Sequence, residues 1–116
     1  MKALLETELN LVIEAFVLEC ATEFNDKLCD VRLYGSYARG DYSDESDIDV
    51  MVILDMTDDE VRKCLGRVCR IASDLDLKYD IMISPVLRSK QKYDLRKCMY
   101  GFCRNVERDG ISKYAG

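Results

Sequence analysis

Histidine and tryptophan are absent from the 116 residues, and proline occurs once. None of the six cysteines forms a C-x-x-C pair. With no C-x-x-C and no histidine beside them, the cysteines argue against a zinc site or a thioredoxin-like motif. One Pro and six Gly are too few punctuators for a disordered chain. No apolar run approaches the ~18 residues of a membrane span. The start, MKALLETELN, carries acids where a signal peptide would be basic and then apolar. The expected setting is therefore the cytoplasm, with reduced thiols that serve mostly as small buried apolar groups. Positive charge is also in deficit, with 17 Lys and Arg against 22 Asp and Glu, a net charge of -5. A long nucleic acid needs a basic face to displace its counterions, so such a partner is disfavoured. One nucleoside triphosphate, neutralised by a metal, is not.

What is present suits one domain spanning residues 1–116, with 48% hydrophobic and 34% charged residues. Leu5, Leu9, Val12, Ile13, Phe16, Val17, Cys20 and Phe24 recur at helical spacing and predict a helix over 3–27. Residues 30–35 read as a strand ending at a glycine, and 36–46 as a turn or short helix followed by a loop. Residues 47–55 read as a second strand, with Asp47, Asp49 and Met51 on one face and Ile48, Val50 and Val52 on the other. Thr57 and Glu60 match a capping box for a helix to about residue 75, with Val61, Cys64, Leu65, Val68, Ile71, Ala72 and Leu75 inward. KYDIMIS, residues 78–84, reads as a third strand closed by Pro85. Residues 89–108 look helical, with Tyr93, Leu95, Cys98, Met99, Phe102 and Val106 inward, and residues 110–114 read as a short returning strand. The fold class expected is α/β (α+β): a short mixed sheet with helices packed against it.

The chemistry concentrates in one stretch, Gly35-Ser36, ten residues, then Asp47-Ile48-Asp49. Two aspartates one residue apart on a strand project from the same side, about 7 Å apart at the backbone. Their mutual repulsion favours a bound cation, and Mg²⁺ takes such carboxylates together with phosphate oxygens and water. One aspartate can bridge two ions about 4 Å apart, as two-metal phosphoryl transfer requires. Gly35 lets a phosphate approach the main chain. Ser36 then opens a short helix whose free N–H groups attract anions. Arg39, one turn on, supplies a cation for the triphosphate or leaving pyrophosphate. Asp80 is a lone acid among strand formers, costly unless paired or metal-bound. On a strand beside 47–55 it would join Asp47 and Asp49 and could take the proton of an attacking hydroxyl. An EF-hand over Asp41 to Val52 fails, because Ser46 stands at the turn glycine and Val52 at the bidentate glutamate.

These residues resemble the signature of the nucleotidyltransferase superfamily that includes DNA polymerase beta and the kanamycin nucleotidyltransferases. Within it, GSYARG, SDIDVMV, YDIMIS and FCRNVERDGISKY are most similar to the minimal nucleotidyltransferase (MNT) domains. The resemblance implies triphosphate binding by Gly35 and Ser36 and metal binding by Asp47, Asp49 and Asp80. It further implies ATP as donor, two Mg²⁺ ions, and an antitoxin role in a hetero-oligomer with a HEPN-type toxin, whose tyrosine would receive AMP. A short chain leaves the acceptor surface to a partner. The alternatives are a toxin-neutralising module without catalysis and a nucleotidyltransferase for small molecules such as antibiotics.

Overall fold

The computed structural model describes residues 6–43, 46–96 and 110–115. In chain order these form α1 (Glu6–Phe24), β1 (Leu28–Tyr34), α2 (Ser36–Arg39), β2 (Ile48–Leu54), α3 (Asp58–Tyr79), β3 (Ile83–Ser89), α4 (Lys90–Arg96) and β4 (Ile111–Ala115). A 3-10 turn, Asn25–Lys27, carries α1 into β1. The strands make one mixed sheet in the order β3-β2-β1-β4. β2 and β3 run parallel with α3 between them, while β1 is antiparallel to both β2 and β4. The tail strand expected from the sequence is thus β4, the fourth member of the sheet.

Strand alternation divides the core in two. Ile48, Val50, Val52 and Leu54 of β2 pack with Val31 and Leu33 of β1 against the buried faces of α1 and α3. Burying each such side chain contributes about 1.5–3 kcal/mol, which is what holds the two helices to this face. On the opposite face Met51 and Ile53 are covered by Tyr93 of α4, with Cys29, Tyr34 and Val86 at the margin. Asp49 belongs to this second face by the same alternation. Thr57 and Glu60 form the expected capping box, the Thr57 hydroxyl accepting from Glu60 N and the Glu60 carboxylate from Thr57 N.

Three expectations need correction. α3 does not stop near residue 75 but runs to Tyr79, since Val68, Ala72, Leu75 and the partly buried Tyr79 continue one apolar stripe. The third strand therefore spans 83–89, not 78–84, and Pro85 lies inside it. Met82 O accepts from Ile48 N at 2.8 Å, whereas Ile83 N donates away from β2, to Asp76. By alternation Pro85 also turns its nitrogen outward from this edge strand, so its missing N–H removes no ladder bond. Leu65 and Leu95, read as inward, are 48% and 63% exposed. Of the thiols, Cys20 and Cys64 are buried, Cys29 is intermediate and Cys69 is exposed. Leu5, Cys98, Met99, Phe102, Cys103 and Val106 lie outside the described residues.

Candidate active site

The end of β1, the α2 turn and the start of β2 meet at Gly35. This residue caps α2 with φ 73° and ψ -155°, a conformation reserved for glycine. A Cβ there would run into Asp49 Oδ2 and lie 3.2 Å from Asp49 Cγ. Gly35 is therefore required twice, for its backbone angles and for the room it leaves Asp49. Its carbonyl accepts from both Ala38 N and Arg39 N at 3.1 Å, closing the single turn of α2. Ser36 starts that turn, as expected. Gly40 ends it with φ 83°. The buried ring of Tyr37 stacks on Tyr42, centroids 4.3 Å apart and planes 10° from parallel, which folds the following loop back over α2.

Asp47 is exposed just before β2, and Asp49 is half-buried within it. Burial is the main cause raising the Asp49 carboxyl above its ordinary pKa; the Asp47 charge adds to the rise and Arg39 opposes it. The Arg39 side chain itself pairs with Asp41, its Nε meeting Asp41 Oδ2 at 3.3 Å. Two residues the sequence reading passed over enter here. Ser84 of β3 stands opposite Asp49 in the parallel ladder, and its hydroxyl donates to Asp47 Oδ2 at 3.3 Å. Asp76 of α3 accepts from Ile83 N at 2.8 Å. Its carboxyl is also raised, by burial first and by the Asp47 charge, against the lowering effect of the Ile83 amide. A correct register for β3 would have exposed Ser84; no local pattern marks Asp76.

Asp80 differs from its expected place. It is not on a strand beside β2 but at the C-cap of α3, in the left-handed conformation (φ 53°), with its N–H on Asp76 O. Aspartate tolerates this conformation better than most residues. Its side chain is exposed. Among the described residues no three His, Cys, Asp or Glu side chains gather as a metal cluster, so Asp80 is not drawn in beside Asp47 and Asp49. The two aspartates that do come together, with like charge and one of them half-buried, suit a divalent cation. Mg²⁺ commonly takes only one or two protein carboxylates and completes its shell with phosphate and water oxygens.

The chain matches the nucleotidyltransferase domain over residues 13–112. It is 43% identical over 79 residues to a Methanocaldococcus jannaschii protein provisionally named protein adenylyltransferase MJ0141, covering 68% of this chain and 78% of that protein. A provisionally assigned nucleotidyltransferase from Sulfolobus solfataricus shares the fold with a TM-score of 0.59 at 21% identity, over 97% of this chain and 91% of the other. A toxin–antitoxin complex crystallised with AMP-PNP contains a chain that superposes with a TM-score of 0.55 at 21% identity, over 89% of this chain and 73% of that one. No helix among the described residues is long and apolar enough to cross a membrane.

Proposed function

The chain belongs to the nucleotidyltransferase domain family and is a nucleotidyltransferase, and from that premise we propose that it transfers AMP from ATP to a tyrosine hydroxyl of a HEPN-type toxin, acting as that toxin's antitoxin. The observation that carries the reading is the close approach of Gly35 to Asp49, which sets a glycine turn of the kind that suits a phosphate directly against a carboxylate that suits a metal. The relative named as a protein adenylyltransferase supports a protein acceptor, and the toxin–antitoxin neighbour supports a toxin as that protein.

Each role follows from the chain's own groups. Ser36, the first amides of α2 ahead of the two that close on Gly35 O, and Arg39 would grip the triphosphate. Asp47 and Asp49 would hold Mg²⁺, with the Ser84 hydroxyl steadying Asp47. The bound metal would neutralise phosphate charge as it develops. The acceptor oxygen attacks the α-phosphorus, the bond to the β-phosphate breaks, and pyrophosphate leaves. Asp80 stands at the C-cap of α3, and its proposed roles as the base that takes the hydroxyl proton and as a metal ligand rest on the family resemblance. Positioning and charge stabilisation supply most of the rate. The setting is the cytoplasm, where ATP and reduced thiols coexist.

The test mixes the chain with ATP, Mg²⁺ and the toxin encoded beside it, and weighs the toxin by mass spectrometry. A gain of whole AMP units that disappears in Asp47→Asn and Asp49→Asn supports the proposal. Asp80→Asn with full Mg²⁺-dependent ATP binding but no transfer supports the base role. A tight complex with no mass gain replaces the enzyme with a binding module.

A further inference from the structure

We infer that Asp76 is a positioning residue for the Asp47–Asp49 pair, acting through the start of β3. Three amides converge on this one residue. Its main-chain carbonyl accepts from Asp80 N and, at 3.2 Å, from Ile81 N, while its carboxylate accepts from Ile83 N at 2.8 Å. The whole turn between α3 and β3 therefore hangs on Asp76. Between the amides of residues 81 and 83 lies Met82, whose carbonyl takes the N–H of Ile48 at 2.8 Å. Ile48 is the residue that separates the two aspartates. One residue further along β3, Ser84 holds Asp47 through its hydroxyl at 3.3 Å. An unbroken run of hydrogen bonds thus leads from the Asp76 side chain to the backbone between Asp47 and Asp49.

The side-chain bond is the part that sequence can change. The first amide of an edge strand has no ladder partner on its outer side. At Ile83 that donor points at α3, and an ionised acceptor on the helix satisfies it with a charge-assisted bond. The two main-chain bonds belong to the helix end and would persist in any residue at position 76. The carboxylate bond ties the first amide of the strand to the helix. Without it, the ladder to β2 still holds β3 along its length, but the first residues of the strand lose their tether to α3 and can move by the small amount that separates two carboxylates aimed at one ion from two that are not.

This inference rests on the proposed metal role of Asp47 and Asp49, so its test has one arm that needs no metal. Asp76→Glu keeps the charge but moves the acceptor oxygen, and Asp76→Asn keeps an acceptor in place but drops the charge. In ligand-free protein, amide hydrogen exchange at Ile83 and Ile48 is expected to speed up in Asp76→Glu and to change less in Asp76→Asn. In the second arm, half-saturation of ATP binding by Mg²⁺ is expected to rise about tenfold in Asp76→Glu, the scale seen for groups supporting metal ligands, with the smaller rise in Asp76→Asn. A residue that only stabilised the fold would lower the melting temperature and leave the Mg²⁺ requirement of the folded fraction unchanged. Unchanged exchange at both amides in Asp76→Glu overturns the inference, as does an Asp76→Asn variant impaired as much as Asp76→Glu. A wild-type chain that takes up no Mg²⁺–ATP overturns the reading of the site instead, and leaves the exchange arm standing.

Discussion

Gly35 and Asp49, fourteen positions apart by their numbers, press together so closely that a methyl group on the first would collide with a carboxylate oxygen of the second. The contact arises because β1 and β2 are antiparallel neighbours with Tyr34 opposite Asp49, which leaves Gly35 beside the carboxylate as the chain turns into α2. Gly35→Ala should suffer two separate penalties. The backbone strain at φ 73° costs about 1–3 kcal/mol, and the displaced Asp49 should lower the transfer rate by roughly a hundredfold. Gly40→Ala is the control. Its φ is 83°, yet nothing lies within 4 Å of the added carbon. It should lose about 1 kcal/mol of stability and keep most of its activity. Thermal melting and single-turnover transfer on both variants separate strain from misplacement.

The half of the site that precedes residue 55 was legible because its signals are local. The glycine, the serine and the two aspartates are set by one turn and one alternating strand, and alternation fixes a face without knowledge of the neighbours. The half that follows was not. KYDIMIS satisfies a strand pattern, but Tyr79 also completes the stripe begun by Val68, Ala72 and Leu75, and packing on the sheet favours the helix. That choice moves β3 by five residues at its start and sends Asp80 to a helix cap. It also brings Ser84 to the place opposite Asp49. Pro85 misled for a related reason: its harm depends on whether its nitrogen faces β2, and only the register decides that. Asp76 carries no signal of its own, since its partner is an amide seven positions on.

Ser84→Ala isolates the contact with Asp47. The bond is long, 3.3 Å, and solvent reaches it, so its loss should cost the fold no more than about 1 kcal/mol. Removing the hydroxyl frees the Asp47 side chain before metal arrives. A rise of a few fold in the Mg²⁺ concentration for half-maximal ATP binding is expected, about threefold for each ~0.65 kcal/mol lost. Isothermal titration with a non-hydrolysable ATP analogue measures it; an unchanged requirement would show that Asp47 needs no support.

The thiols should react in an order set by burial. Cys20, on the buried face of α1 and near Glu19 and Glu23, has its thiol pushed up to about 12, chiefly by burial and then by the two carboxylates. Only the thiolate is nucleophilic, so Cys20 should resist alkylation in the folded protein at neutral pH. Among the four described thiols, Cys69 of α3, which is exposed, should be modified first. Peptide mass spectrometry after brief iodoacetamide treatment checks the order, and rapid labelling of Cys20 would mean that α1 opens from the sheet.

Asp49 should give the protein an unusual dependence on pH. Burial, reinforced by Asp47, raises its carboxyl in the folded state. Keeping it ionised therefore costs stability, and the cost is complete above the folded pKa. It fades as pH falls through that value and vanishes below the unfolded one, where both states are protonated. Asp49→Asn removes the ionised group, so it should melt above the wild type at neutral pH, and the gap should close on acidification. Mg²⁺ acts in the opposite sense, because it binds the ionised form and must displace any proton there. The affinity of the wild type for Mg²⁺ should climb with pH through the raised pKa and then level off, and added Mg²⁺ should lift the melting temperature of the wild type more than that of Asp49→Asn. Melting curves over a pH series, with and without Mg²⁺, test both signs at once; a wild type that outlasts Asp49→Asn at neutral pH without metal would contradict the burial argument directly.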